Sequence, residues 1–260
     1  MRRFWLLVGL LILTALPGIL MAGSSEATKP VLPPAKVARF ADQVQQELAR
    51  RGTQVAIVAR MGRDPSVLPK GVRYTHVAYW VYSDIQTQDG QRGKGYRVFN
   101  LYQTAENAAR STLVQDSPAD FLAGAKRLEA GIIIPDRRLQ RKLAQTIASP
   151  TYAALHNPRY SVLANPASRQ FQNCTEHTLD VLMAALYGVR GPDQIKANIA
   201  AHFTPQPIPL GGLKRGFASL TSAALTTQDH GASVATATFG SIAGFMQKHD
   251  LAQSVFRLTP

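Results

Sequence analysis

An α+β fold built on an antiparallel sheet is what this 260-residue sequence predicts, on three observations. The run Val72–Tyr82 alternates as a strand does, with Val72, Tyr74, His76, Ala78 and Trp80 on one face. A second run, Tyr96–Gln103, follows a polar turn carrying Asp89-Gly90, a strong hairpin signal, so the two should pair antiparallel. Helical periodicities and short apolar runs share the rest of the chain, which shows no internal repeat. Hydrophobic residues at 45% and charged residues at 17% are a globular balance.

The elements follow in order. Val37, Phe40, Val44 and Leu48 fall on one face of a helix over Lys36–Arg51, stopped by Gly52. Gln54–Ala59 reads as a buried strand, and residues 62–71 as a loop. In the return strand Val98, Asn100 and Tyr102 share a face. Ser117-Pro118 opens a helix to about Leu128, serine as N-cap and proline at its first position. Residues 131–134 form a short buried strand, and Pro135–Ala148 a basic helix burying Leu139, Leu143 and Ile147. Ser149–Gln172 is irregular, punctuated by Asn157-Pro158 and Asn165-Pro166. Cys174–Tyr187 is a strongly apolar helix closed by Gly188. Pro192–Phe203 is a helix, and residues 204–212 form a boundary rich in proline and glycine. A helix, a strand at Ser233–Phe239, a helix at Ile242–His249 and a strand at Ser254–Leu258 complete the chain.

The first 22 residues have a secretory signal's layout: Arg2-Arg3, an apolar Phe4–Leu16, Pro17-Gly18, then small residues from Ala22 to Ser25. Cleavage there would release the body of the protein to the periplasm. If uncleaved, the segment from Phe4 to Ala22 is just long enough to tie it to the inner membrane. The organisation expected is a signal over 1–22, a linker over 23–35, a core with a helical insertion over 36–203, and an extension over 204–260 packing on that core.

The net charge of +13 comes from scattered basic residues with small groups at Arg137, Arg138, Arg141, Lys142 and at Lys214, Arg215. No aromatic-interleaved basic stripe accompanies them, so nucleic acid is not expected as a partner. An anionic envelope surface suits the charge, and so does a merely solvated basic face.

Cys174 is the only cysteine, so no internal disulfide exists. In an exported chain an odd cysteine reads as a reactive thiol, or else as a small buried hydrophobe. Its position at a helix start favours the thiolate through free N–H groups and the helix dipole. A strand histidine, His76, could take its proton. A competing base is His230, with Asp229 beside it. His177 lies three residues beyond the cysteine, but no second ligand pair completes a zinc site, and no cofactor fingerprint appears. Glu129 and Asp180 are single carboxylates with no visible partner, so no glycosidase pair is expected.

The segments Tyr74-Thr75-His76-Val77-Ala78 and Asn173-Cys174-Thr175-Glu176-His177 resemble the permuted branch of papain-like, NlpC-type cysteine hydrolases and acyltransferases. That resemblance implies a permuted papain-like core, Cys174 as nucleophile, His76 as base and a polar orienter on the neighbouring strand. Asn100 is the candidate orienter, holding the imidazole tautomer without charge. The Cys174 N–H would serve the oxyanion hole, with Gln172 or Asn173 as side-chain donor or simply as helix caps. Tyr74–Gln103, Glu129–Pro135, His156–Pro166 and Asp229-His230 also resemble a family of uncharacterised, signal-bearing proteobacterial proteins.

The function expected is an exported thiol hydrolase or acyltransferase acting on an envelope peptide or acyl substrate. The alternative is a non-catalytic periplasmic binding or accessory module on the same fold. A thiol with a raised pKa, or His76 turned into the core, would favour the module.

Overall fold

The computed structural model describes residues 30–86, 90–209 and 223–260. The candidate signal over 1–22, most of the linker, Asp89 and the Lys214-Arg215 pair lie outside the described residues.

β-branched and aromatic runs build the middle of the molecule. β1 (Val55–Met61) pairs antiparallel with β2 (His76–Gln86), and β2 with β3 (Arg92–Gln103). β4 (Ser111–Asp116) adds to one side, β5 (Arg127–Pro135) and β8 (Ala252–Leu258) to the other. The six-stranded antiparallel sheet runs β4-β3-β2-β1-β5-β8, so the last strand in sequence forms an edge. A two-stranded pairing of β6 (Gln206–Pro207) and β7 (Ala235–Thr236) stands apart.

Both faces of the sheet are covered, which its uninterrupted apolar strands demand. One face presents Ala56, Val58, Ala78, Trp80, Val98, Ile132 and Ile134. Against it lie α1 (Pro34–Arg50), through Val37, Phe40, Val44 and Leu48, and α2 (Pro118–Ala123), through Phe121 and Leu122. The other face presents Val55, Ile57, Ala59, Val77, Tyr79 and Ile133. It is covered by α3 (Arg137–Ile147), α5 (Cys174–Tyr187), α6 (Pro192–His202) and α7 (Phe239–Lys248). A short α4 (Pro150–Ala154) interrupts the stretch expected to be irregular. No helix among the described residues is long and apolar enough to cross a membrane.

Three local expectations change. β2 begins at His76, and Tyr74 does not share its face. The Tyr74 ring sits edge-on to Phe239, centroids 5.0 Å apart, over Gly131, where any Cβ would collide with it. The helix opened by Ser117 ends at Ala123, because Lys126 already donates its N–H to the Met61 carbonyl at 2.8 Å and carries the chain into β5. The expected strand Ser233–Phe239 shrinks to two residues, because Thr238 caps α7 reciprocally with Ser241.

Candidate functional site

Asn173 starts α5 from an extended conformation, its side chain accepting the Glu176 N–H at 2.9 Å, and Gly188 ends the helix at φ +70°. Every residue from Cys174 to Ala185 is buried, so α5 is a central helix with no solvated face. It is pinned to the sheet where the Tyr79 hydroxyl donates to the Thr178 carbonyl at 2.7 Å.

Cys174, 5% exposed, packs with Leu101, Tyr160 and Ala224. It lines a cavity of about 110 Å³ together with Tyr74, Thr75, Tyr160, Ile208 and Thr236. Its sulfur lies 3.8 Å from the Thr175 hydroxyl. Burial pushes the thiol pKa above its ordinary value, although hydrogen bonds from the Val77 backbone and Thr175 pull it down. At neutral pH this is a protonated thiol, not the low-pKa thiolate expected of a helix-start nucleophile.

His76 and Asn100 do meet. Asn100 donates through Nδ2 to the Val114 carbonyl at 3.0 Å, which turns its Oδ1 toward His76 Nε2 at 2.9 Å. His76 therefore carries its proton on Nε2. Its ring stacks on Tyr102 at 4.7 Å and tilts against Phe121 at 5.4 Å, and its Nδ1 is buried without a partner. Burial, and secondarily the positive Arg60, hold its pKa well below the ordinary value.

The Cys174–His76 pair expected from the sequence does not form. Tyr102 and Phe121 hold His76 on the α1/α2 face, whereas Cys174 sits on the α5 face beside Leu101 and Val77. Neither ring nitrogen of His76 bonds the sulfur: Nε2 meets Asn100 and Nδ1 has no partner.

The remaining candidates are also engaged elsewhere. His230 places Nε2 2.6 Å from the Leu163 carbonyl and is not among the residues around the thiol cavity. Gln172 accepts the Asn157 N–H at 2.9 Å and donates to the Leu155 carbonyl at 2.9 Å and to Asp180 at 2.8 Å. Gln172 thus braces a loop on α5 and has no donor left for an oxyanion. Asn173 is the helix cap.

Two single carboxylates acquire partners. Glu129 takes Arg73 at 2.6 Å and the Tyr74 hydroxyl at 2.8 Å. Asp180 shares the Lys196 ammonium with Glu176, at 2.7 and 2.6 Å. The sequence carried half of that second signal: Glu176 and Asp180 are four apart and so lie on one helix face. Lys196 arrives from α6, which no local spacing foretells.

An antiparallel six-stranded sheet with helices on both faces, and a buried thiol at the head of a central helix, defines an α+β protein. The chain belongs to the bacterial family DUF2145, described as an uncharacterized protein conserved in bacteria, whose model matches residues 47–246. No curated protein and no solved structure matches it significantly.

Proposed function

We propose that this chain is an exported, non-catalytic binding or accessory module of the cell envelope, on a permuted papain-like core whose thiol pocket receives a small apolar group. The observation that carries this reading is that neither ring nitrogen of His76 is bonded to the Cys174 sulfur. Thiol hydrolysis or acyl transfer needs a base within hydrogen-bond reach of the sulfur. His76 Nδ1, the nitrogen left free by Asn100, is buried without a bond to the sulfur, and His230 is bonded to the Leu163 carbonyl, so neither offers that proton path. The raised thiol pKa argues the same way, and the cavity around the sulfur is walled by Leu68, Val72, Val162 and Ile208 with hydroxyls between them. Export rests on Arg2-Arg3 and the apolar run behind them.

Iodoacetamide alkylation at pH 7 tests the reading. Cys174 of the folded protein should react more slowly than the same residue in urea-denatured protein. Alkylation faster than the denatured control, and slowed by His76→Ala, would overturn it in favour of a thiol enzyme.

A further inference from the structure

Helix α3 buries Leu139, Leu143 and Ile147 and turns Arg137, Arg138, Arg141, Lys142 and Gln145 to solvent. Four of its first six residues are thus exposed cations, in a row about 8 Å long along the helix axis. The helix carries no acidic residue. Its N-cap, Asp136, spends one carboxylate oxygen on the backbone N–H groups of Arg138 and Leu139, at 2.8 and 3.0 Å. Among the described residues Arg137, Arg138 and Arg141 form no ion pair and no side-chain hydrogen bond, whereas Arg50 and Arg51 at the end of α1 share Glu47.

The row continues beyond the helix. Lys142 Nζ donates to the Leu186 carbonyl at 3.1 Å, which brings α3 against the C-terminal end of α5. A groove of about 280 Å³ opens there, lined in part by Lys142, Thr146, Ser149, Thr151 and the exposed Arg190. Tyr187, 43% exposed, follows Leu186 directly, its ring stacked on His202 at 5.7 Å. Cations with hydroxyls between them suit a phosphate ester, and a half-exposed tyrosine suits a boundary between apolar and wet phases. We propose that this face docks on an anionic phospholipid surface, with Arg137, Arg138 and Arg141 against the phosphates and one headgroup in the groove that Lys142 and Arg190 line.

The arrangement favours lipid over other polyanions. The arginines form an open row on one helix face, which many phosphates in a plane match better than a single anion does. No aromatic side chain is interleaved with them on α3, and stacking on nucleic-acid bases needs one. Near a negative lipid surface each basic side chain strengthens binding by about five-fold, and salt screens the attraction. The proposal rests on export in the reading above but not on its thiol pocket, with which the groove shares no residue.

Co-sedimentation of the exported chain with phosphatidylglycerol vesicles and with neutral phosphatidylcholine vesicles tests it. Binding should be confined to the anionic vesicles and should weaken as salt rises from about 0.1 to 0.5 M. Changing Arg137, Arg138 and Arg141 together to Gln, a good helix former at exposed positions, should weaken it on the order of a hundred-fold. A control with Lys36, Arg39 and Arg92, also exposed, changed to Gln has the same net charge and should stay within a few-fold of the parent. Equal losses in the two triple variants would reduce the effect to net charge and overturn the proposal. So would equal binding to both kinds of vesicle, no binding to either, release from the anionic vesicles by inorganic phosphate, or tighter binding of duplex DNA. Cys174 alkylation should be the same in the α3 variant as in the parent, so this test and that of the thiol pocket fail separately.

Discussion

At the scale of single residues, buried imidazoles make the molecule sensitive to acid. His177 is buried on α5, its Nε2 3.2 Å from the Tyr152 carbonyl, and desolvation lowers its pKa to about 3. The unfolded chain takes up this proton near pH 6.5 while the folded chain refuses it until about 3. Stability is therefore complete above pH 6.5 and falls as pH drops through that window, by about 2 kcal/mol at pH 5 from His177 alone. Glu176, whose pKa is raised, works in the opposite direction, so the measurement is a comparison. Urea unfolding at pH 7 and pH 5 should show a smaller acid loss in His177→Gln than in the parent; equal losses would contradict this assignment. Cys174 gives a second expectation. Placing a hydroxyl in its apolar surroundings, Cys174→Ser, should cost about 1–3 kcal/mol, whereas a nucleophile's replacement would cost activity and little stability. Urea midpoints of the two proteins give the answer.

At the scale of elements, α5 was legible to the residue, because Asn173, the apolar run and Gly188 are three local signals that agree. α1 and α3 were legible for the same reason, their buried faces following from periodicity. The pairing of β2 with β3, and of His76 with Asn100 across it, followed from the hairpin. What could not be read was which face of that hairpin α5 would cover. Alternation sorts strand residues into two sets but does not say which set meets a helix seventy or more residues away in the chain. That single undetermined choice leaves His76 packed against Tyr102 and Phe121 and unbonded to the thiol. The α5–α6 contact was equally opaque, and there Lys196 holds two buried carboxylates. Lys196→Met removes the counter-charge of buried Asp180 and the donor to Glu176 Oε1, so it should destabilise by about 3–5 kcal/mol. Chemical denaturation would register a loss of this size; a change below about 1 kcal/mol would mean the triad contributes little.

At the scale of the whole molecule, the sheet is closed by the end of the chain. β8 docks antiparallel on β5 over six residue pairs, from Ala130–Leu258 to Pro135–Ala252. Phe256 and Leu258 pack on the α1 face and Val255 and Ala252 on the other, so this edge strand joins both cores. Arg51, at the end of α1, lays its guanidinium over the Phe256 ring at 4.3 Å. Residues from the two ends of the described chain thus meet at one edge, and the C-terminal segment belongs to the core rather than to an appendage. Removing residues 251–260 would withdraw several half-buried apolar side chains, a loss on the order of 3 kcal/mol at roughly half the value of full burial for each. It would also bare β5, whose Ile132, Ile133 and Ile134 are buried in the intact protein. An unpaired apolar edge of that kind pairs with other chains. The truncated protein should melt lower than the parent and elute as oligomers in size-exclusion chromatography. A truncated protein that stayed monomeric with an unchanged Tm would show that the sheet is complete without β8.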